Sequence, residues 1–332
     1  MSHPNPFFKQ NANSITCLLC QHYCQLKEGQ TGICGVNKNK KGILENLVYG
    51  KVSAINIDPI EKKPLYHFLP SSMSLSIGTV GCNFKCPFCQ NWQISQTSDA
   101  SNAQNVTPKQ LVKLAKEHHC QSISYTYNEP TIFYPFAKDV ALLAKKEGIK
   151  NIFVSNGFES PEILEDMVGV IDAFNIDLKS FQSDYYKKHL KGSLEGVLKS
   201  LRTIKKRGFW LEVTTLIVPN QNDSQEELRQ IATFIAQELG VNTPWHISAF
   251  YPNYKERHKE PTPLTSLENA YALGKEAGLN HIYMGNIGKE NPTFCPSCQE
   301  VLIERVGFRV SKNIINQGRC PNCNTTIEGV WQ

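Results

Sequence analysis

The residues best suited to chemistry in this 332-residue sequence are its twelve cysteines, eleven of which fall into three groups. Cys82, Cys86 and Cys89 form a C-x3-C-x2-C run inside Gly81-Cys82-Asn83-Phe84-Lys85-Cys86-Pro87-Phe88-Cys89-Gln90-Asn91-Trp92. Three thiolates at this spacing suit a cubane iron–sulfur cluster, each binding one iron. The fourth iron then has no protein ligand and is open to a substrate or cofactor, whereas a structural site is normally closed by four ligands. A zinc site that borrows a distant fourth ligand is the alternative reading.

The outer groups each offer four thiols. Cys295-Pro-Ser-Cys298 and Cys320-Pro-Asn-Cys323 are two C-x2-C knuckles that can close a tetrahedral zinc site. A module this small has too little core to fold alone, so the metal would supply much of its stability. Cys17, Cys20, Cys24 and Cys34 also argue for a closed site, with zinc or an auxiliary iron–sulfur cluster as the occupant. Cys120 stands alone and reads as a buried core thiol.

Composition narrows the setting. The 40% hydrophobic and 20% charged fractions are those of an ordinary globular enzyme. No apolar run approaches the roughly 18 residues of a membrane span. The start, Met-Ser-His-Pro-Asn-Pro, lacks a basic segment followed by an apolar one, so no secretory signal is expected. A cytoplasmic location follows, where thiols stay reduced and clustered cysteines mean metal. The net charge of +5 is mild, and thiolate-bound metals would nearly cancel it, which weighs against a nucleic-acid partner.

The elements that must position these groups alternate. β-rich runs at 74–79, 122–126, 151–154, 173–177, 209–218 and 245–249 are separated by amphipathic helical segments, with a short strand at 281–284. Thr107 and Pro108 open one helix, Gly148 stops the next, and Ser224 begins another. Strand–helix alternation implies a parallel sheet with right-handed crossovers. Six good βα units and a possible seventh edge strand predict an α/β fold, a partial (β/α)6 TIM-like barrel with small Cys-rich metal-binding modules at both ends. The expected domains are 1–45, 46–290 and 291–332. Glu129, Asn156, Asp177 and Asn220 each follow a strand, where barrels place their sites. The loop from His246 through Tyr254, with Arg257 and His258, is the candidate for substrate contact or for a lid.

A C-x3-C-x2-C loop after the first strand of such a barrel resembles the signature of the radical S-adenosylmethionine (SAM) enzymes. Asp58-Pro-Ile-Glu-Lys-Lys-Pro-Leu-Tyr-His-Phe68, Cys89-Gln-Asn-Trp92 and the Cys-rich N-terminus are similar to the radical enzyme of the AmmeMemoRadiSam system, itself similar to pyruvate formate-lyase activating enzymes. The resemblance implies a [4Fe-4S] cluster on Cys82, Cys86 and Cys89 whose open iron binds SAM. One electron would cleave SAM to methionine and a 5′-deoxyadenosyl radical, which abstracts hydrogen from a substrate. It also implies cofactor contacts. Tyr127-Asn128-Glu129-Pro130 stands where the family usually has Gly-Gly-Glu-Pro, so Glu129 would meet the cofactor ammonium, and Asn128 replaces a glycine with a polar contact. Ser155 and Asn156 match a Thr-Asn-Gly motif. Asp177 and Lys179 match Asp-Leu-Lys, with Lys179 facing the cofactor carboxylate. Phe88 would lie beside the adenine. The implied partners are an electron donor such as flavodoxin or ferredoxin and a substrate that the sequence does not identify, a protein among the options. Two rival readings are a glycyl-radical-enzyme activating enzyme and a zinc-ribbon nucleic-acid-binding protein.

Overall fold

The computed structural model describes residues 3–332. Its centre is a sheet of seven parallel strands: β1 (Met73–Gly78), β2 (Ser122–Tyr125), β3 (Lys150–Ser155), β4 (Ala173–Asp177), β5 (Trp210–Ile217), β6 (Trp245–Ala249) and β7 (Ile282–Gly285). They pair in chain order, so every crossover reaches the next strand. An eighth strand, Ala54–Pro59, pairs antiparallel with β1 from Ala54↔Gly78 to Pro59↔Met73. β7 and this strand form the two free edges, so the barrel is partial. The seventh parallel strand is present, and the antiparallel one is an element that strand–helix alternation does not announce.

Helices α1 (Pro108–Glu117), α2 (Tyr134–Lys146), α3 (Pro161–Asp166), α4 (Leu194–Lys206), α5 (Gln225–Phe234) and α6 (Leu264–Glu276) fill the crossovers. Their starts are written locally. Thr107 accepts from the Gln110 amide in a capping box, and Ser160, Ser193 and Ser224 accept from the amides of Ile163, Gly196 and Glu227. The strands are buried on both faces, as crossover helices require: every residue of β2 and β6 is buried.

The N-terminal segment builds two small antiparallel sheets, one from Phe8–Gln10, Ile15–Cys17 and Gln25–Leu26, the other from His3–Pro4, Asn37–Lys40 and Ile43–Asn46. Ile15, Leu19, Val36 and Leu44 join the same hydrophobic core as the barrel. Asn37 and Asn46 each donate to the Ile132 carbonyl, at 2.8 and 2.9 Å, which pins this segment beside the barrel mouth. The C-terminal segment has its own core of Cys295, Leu302, Ile303, Cys320 and Ile327 around a three-stranded sheet. Arg305 fastens it to the barrel. This fully buried guanidinium donates to the Tyr66 carbonyl at 2.6 Å and to Thr293 Oγ1 at 2.7 Å, and lies over the Tyr66 ring. A buried cation costs several kcal/mol unless it is paired, and Glu61, also buried, stands 3.8 Å away.

Candidate functional site

β1 delivers the cluster loop to the mouth of the barrel. Cys82 and Cys86 are buried and Cys89 is half-buried. The Phe84 amide points at Cys82 Sγ (3.4 Å) and Ser95 Oγ lies 3.1 Å from Cys89 Sγ. The Asn128 amide staples the loop to β1: Oδ1 accepts from the Thr79 amide, and Nδ2 donates to Thr79 Oγ1 and to the Gly81 carbonyl. Tyr127 takes φ +71°, the left-handed conformation a glycine would adopt there. Its close approach is allowed by Gly78, where a Cβ would lie 2.7 Å from the Thr126 carbonyl. Asp58 holds the Tyr127 ring in place. It accepts from the Tyr127 hydroxyl at 2.9 Å and pairs with Lys62 and with buried Lys63, at 2.8 and 2.7 Å.

Burial pushes the Cys86 thiol up to about 12 and Cys82 well above its ordinary value, with the Glu129 charge adding to the rise at Cys82. As metal ligands they would have to lose those protons, a cost that a bound thiophilic cation offsets. Among the described residues, the three sulfurs do not gather within the 4.8 Å that marks the C-terminal cysteine group.

The loop roofs a cavity of about 330 Å³ at the C-terminal ends of the strands. Phe88, Asn128, Glu129, Ser155, Asn156, Asp177 and Lys179 all line it, together with the three cysteines. Glu129, 2% exposed, is the hub. Its Oε1 accepts from Thr131 N (3.0 Å), Thr131 Oγ1 (2.6 Å) and Ser155 Oγ (2.9 Å), and Oε2 accepts from Asn156 N (2.8 Å). A carboxylate offers about four lone-pair sites. The crowding on Oε1 leaves the open position on Oε2.

Ser155 Oγ also meets Glu159, and one hydroxyl proton cannot serve two carboxylates. Glu159 is fully buried, and burial followed by the Glu129 charge lifts it to about 7. Ser155 Oγ thus stands between two buried carboxylates, Glu129 and Glu159. Across the cavity Lys179 Nζ lies 2.7 Å from Asp177 Oδ2 and 6.0 Å from the Phe88 ring centre. Burial works against the ammonium, but Asp177 and Cys86 outweigh it and raise the pKa, so Lys179 stays a cation.

Sequence reasoning missed part of the lining. Thr214 and Leu216 come from β5 and Asn286 follows β7, whereas Lys62 and Pro64, after the antiparallel strand, and Ser248, on β6, lie in stretches the sequence had already singled out. The period-two alternation of the strands could have found Thr214 and Leu216. Asn220 and the neighbouring Asn222 are turn residues, Asn222 closing the loop after β5 onto Val218 N at 2.7 Å. His246 is a buried strand residue whose Nε2 lies 2.6 Å from Glu212. The loop beyond it packs against the cluster loop. Tyr254 stacks on Trp92 at 5.2 Å, Arg257 lies over the same indole, and the Lys255 amide donates to the Pro87 carbonyl.

At the C-terminus, Cys295, Cys298, Cys320 and Cys323 present four sulfurs within 4.8 Å of one another. Two of the separations are 3.5 and 3.7 Å. A Zn–S bond of about 2.3 Å implies a tetrahedron edge of about 3.8 Å. Thr325 holds the exposed Cys323 thiol down to about 6, already favouring the thiolate. Cys17, Cys20, Cys24 and Cys34 face one another in the N-terminal segment, three buried and Cys24 half-buried. Cys120 is a buried thiol against the core, as its isolation suggests.

Comparison with known proteins agrees with this geometry. Residues 76–235 match the Radical SAM superfamily. The uncharacterized protein MJ0808 of Methanocaldococcus jannaschii is 42% identical over 325 residues, covering 96% of this chain and 97% of that protein. The pyruvate formate-lyase-activating enzyme of Clostridium pasteurianum is 24% identical over 176 residues, covering 50% of this chain and 72% of its own. In fold, the chain is similar to Streptococcus suis SuiB bound to S-adenosylmethionine, with a TM-score of 0.52, 14% identity, and coverage of 68% of this chain and 53% of that one. No helix among the described residues is long and apolar enough to cross a membrane. A parallel partial barrel, three thiols on the loop after its first strand and a polar cavity behind them belong together: the chain is an enzyme of the radical SAM superfamily, whose cofactors are a [4Fe-4S] cluster and SAM.

Proposed function

We propose that Cys82, Cys86 and Cys89 hold the catalytic cluster and that the cavity behind them binds SAM, in the radical enzyme of an AmmeMemoRadiSam system acting on a protein substrate. The observation that carries the reading is the convergence of those thiols with Glu129, Asn156, Asp177 and Lys179 in one cavity. With cluster and SAM bound, the chemistry supplied is one-electron cleavage of the sulfonium and hydrogen-atom abstraction from the substrate. The chain's own residues do the rest. Glu129 Oε2 accepts from the cofactor ammonium, with Ser155 and the Asn156 amide fixing the carboxylate. Lys179 would pair with the cofactor carboxylate and Asp177 would accept from the ribose. Phe88 offers a ring face to the adenine. Tyr254 on Trp92 closes the mouth against water.

A protein substrate is favoured by the shape of the space. The first cavity has the volume of one cofactor-sized ligand. A second, of about 400 Å³, shares Lys62, Pro64, Ser248 and Asn286 with it and is lined by Tyr66, His246, Lys289 and Phe308. A side chain entering through this second space reaches the cofactor while the rest of its chain stays outside. Electrons come from a reduced flavodoxin or ferredoxin. The zinc-binding knuckles keep the ribbon, and through it Arg305, against that second cavity. The test is anaerobic turnover with extract from cells grown on deuterated amino acids. Deuterium in 5′-deoxyadenosine is expected from the macromolecular fraction. Deuterium transfer from the low-molecular-mass filtrate alone would overturn the protein-substrate reading.

A further inference from the structure

The N-terminal cysteines are the chemistry-bearing group that the cofactor cavity does not use. They lie directly against the cluster loop. A Cβ on Gly81, the residue before Cys82, would fall 2.6 Å from the Cys34 carbonyl oxygen. Gly81 also takes φ +91°, so glycine is required there by both contact and conformation. The next contact is Asn83. Its Oδ1 lies 3.8 Å from Cys82 Sγ and accepts from Asn156 Nδ2 at 2.8 Å. His22 Nε2 lies 3.0 Å from the Asn83 carbonyl. Asn83 is fully buried, yet its Nδ2 has no hydrogen-bond partner. The Cys20 thiol is the sulfur that faces it. A buried amide donor left unpaired is destabilising. An anionic sulfur at Cys20 would satisfy it, and a neutral thiol is a poor acceptor.

The spacing of the sulfurs separates two kinds of occupant within one chain. The C-terminal four are drawn together at the edge length of a single tetrahedral ion. Among the described residues no three of Cys17, Cys20, Cys24 and Cys34 gather that closely, and neither do Cys82, Cys86 and Cys89. The N-terminal thiols thus behave like the central ones. The segment that carries them is held rigidly, since Asn37 donates both to Cys34 Sγ (3.6 Å) and to the Ile132 carbonyl (2.8 Å). Cys24 alone is half-buried, beside exposed Ile33, and gives the site a solvent-facing side.

We propose that Cys17, Cys20, Cys24 and Cys34 hold an iron–sulfur cluster, not zinc, and that this cluster relays electrons to the central one across Asn83. The relay rests on the central assignment above; the cluster itself does not. One electron passes from a one-electron protein donor of the flavodoxin or ferredoxin class to the N-terminal cluster, reducing it. The same electron then moves inward, reducing the central cluster and returning the first to its oxidised state. No bond and no proton moves. Cys24 faces the donor, and Cys20, Asn83 and Cys82 form the inward path.

Two measurements on the full chain test this. The triple variant Cys82→Ser, Cys86→Ser, Cys89→Ser, reconstituted anaerobically, should keep about four irons and four sulfides per chain and a reducible paramagnetic signal. Zinc in place of iron in that variant overturns the proposal and leaves the central site untouched. The second uses Cys17→Ser with Cys34→Ser, and the milder Cys24→Ser, compared at equal central iron content. Reduction of the central cluster by reduced flavodoxin should slow by at least an order of magnitude, while reduction by titanium(III) citrate stays at the native rate. Equal rates with both reductants in all variants would overturn the relay.

Discussion

Glu129→Gln tests the cofactor site most sharply, because the change keeps shape and removes charge. The native carboxylate accepts four hydrogen bonds, three of them on Oε1, and its remaining capacity lies on Oε2 beside the Asn156 amide. A glutamine must place its NH2 at one of these oxygens. At Oε2 it would face the Asn156 N–H donor to donor; at Oε1 it would face three donors, so the first arrangement costs less. The variant then meets the cofactor ammonium with a second donor and no negative charge. A hydrogen bond to a charged group contributes about 1.5–3 kcal/mol. At 1.36 kcal/mol per decade, this predicts a rise in the SAM dissociation constant of roughly 10- to 150-fold. The assay is anaerobic equilibrium dialysis with labelled SAM at matched iron content, beside the yield of 5′-deoxyadenosine. Ser155→Ala, which removes one neutral bond to the carboxylate, should cost about 0.5–1.5 kcal/mol, or about tenfold at most. A dissociation constant for Glu129→Gln within about threefold of native would refute the reasoning and assign the carboxylate a purely structural part, since an exposed or unpaired role costs under about 1 kcal/mol.

Other outcomes follow from the same contacts. The chain should hold one zinc ion through Cys295, Cys298, Cys320 and Cys323, and Cys320→Ser should release it while the iron content stays constant by elemental analysis. Glu159 has its folded pKa raised from 4.5 to about 7, so its contribution to stability is present below the ordinary carboxylate range and is lost as pH rises through about 7. The urea midpoint of the native chain should therefore fall over that window by an amount equivalent to roughly 3 kcal/mol, and the dependence should flatten in Glu159→Gln; an unchanged pH profile contradicts the raised pKa of Glu159. Tyr254→Ala removes the stack on Trp92, worth about 0.5–1.5 kcal/mol, and should speed SAM release by roughly 2- to 10-fold in stopped-flow displacement. Asn128→Ala deletes the three bonds that tie the cluster loop to β1, and reconstituted iron should fall relative to native under a fixed chelator challenge.

Much of the barrel was legible because its signals are local. Thr107 with Gln110, Ser160, Ser193 and Ser224 announce helix starts within four residues, and strand residues such as Ile152–Val154 read as short apolar runs between turns. The candidate site was legible for a related reason: parallel strands in chain order bring successive strand ends to one mouth, so order in sequence becomes proximity in space. What depends on long-range pairing was not legible. Ala54–Pro59 carries the alternation Ile55-Asn56-Ile57-Asp58, but its antiparallel place beside β1 lies outside the strand–helix order of the barrel. The three-fold use of the Asn128 amide joins residues that lie far apart in sequence. Glu159 carries no motif at all; its raised pKa comes from burial next to Glu129. The N-terminal cysteines were visible as ligands, but their contact with the cluster loop, through Gly81 and Asn83, arises only when the segment folds onto the barrel.

The central claim is that Cys82, Cys86 and Cys89 support reductive cleavage of SAM. The direct measurement is anaerobic incubation of the reduced chain with SAM, quantifying 5′-deoxyadenosine and methionine for native protein and Cys86→Ser side by side. Native protein should form the two products in equal amounts, and Cys86→Ser should form neither and lack about four irons. Native-level cleavage by Cys86→Ser, with its iron retained, would contradict the account.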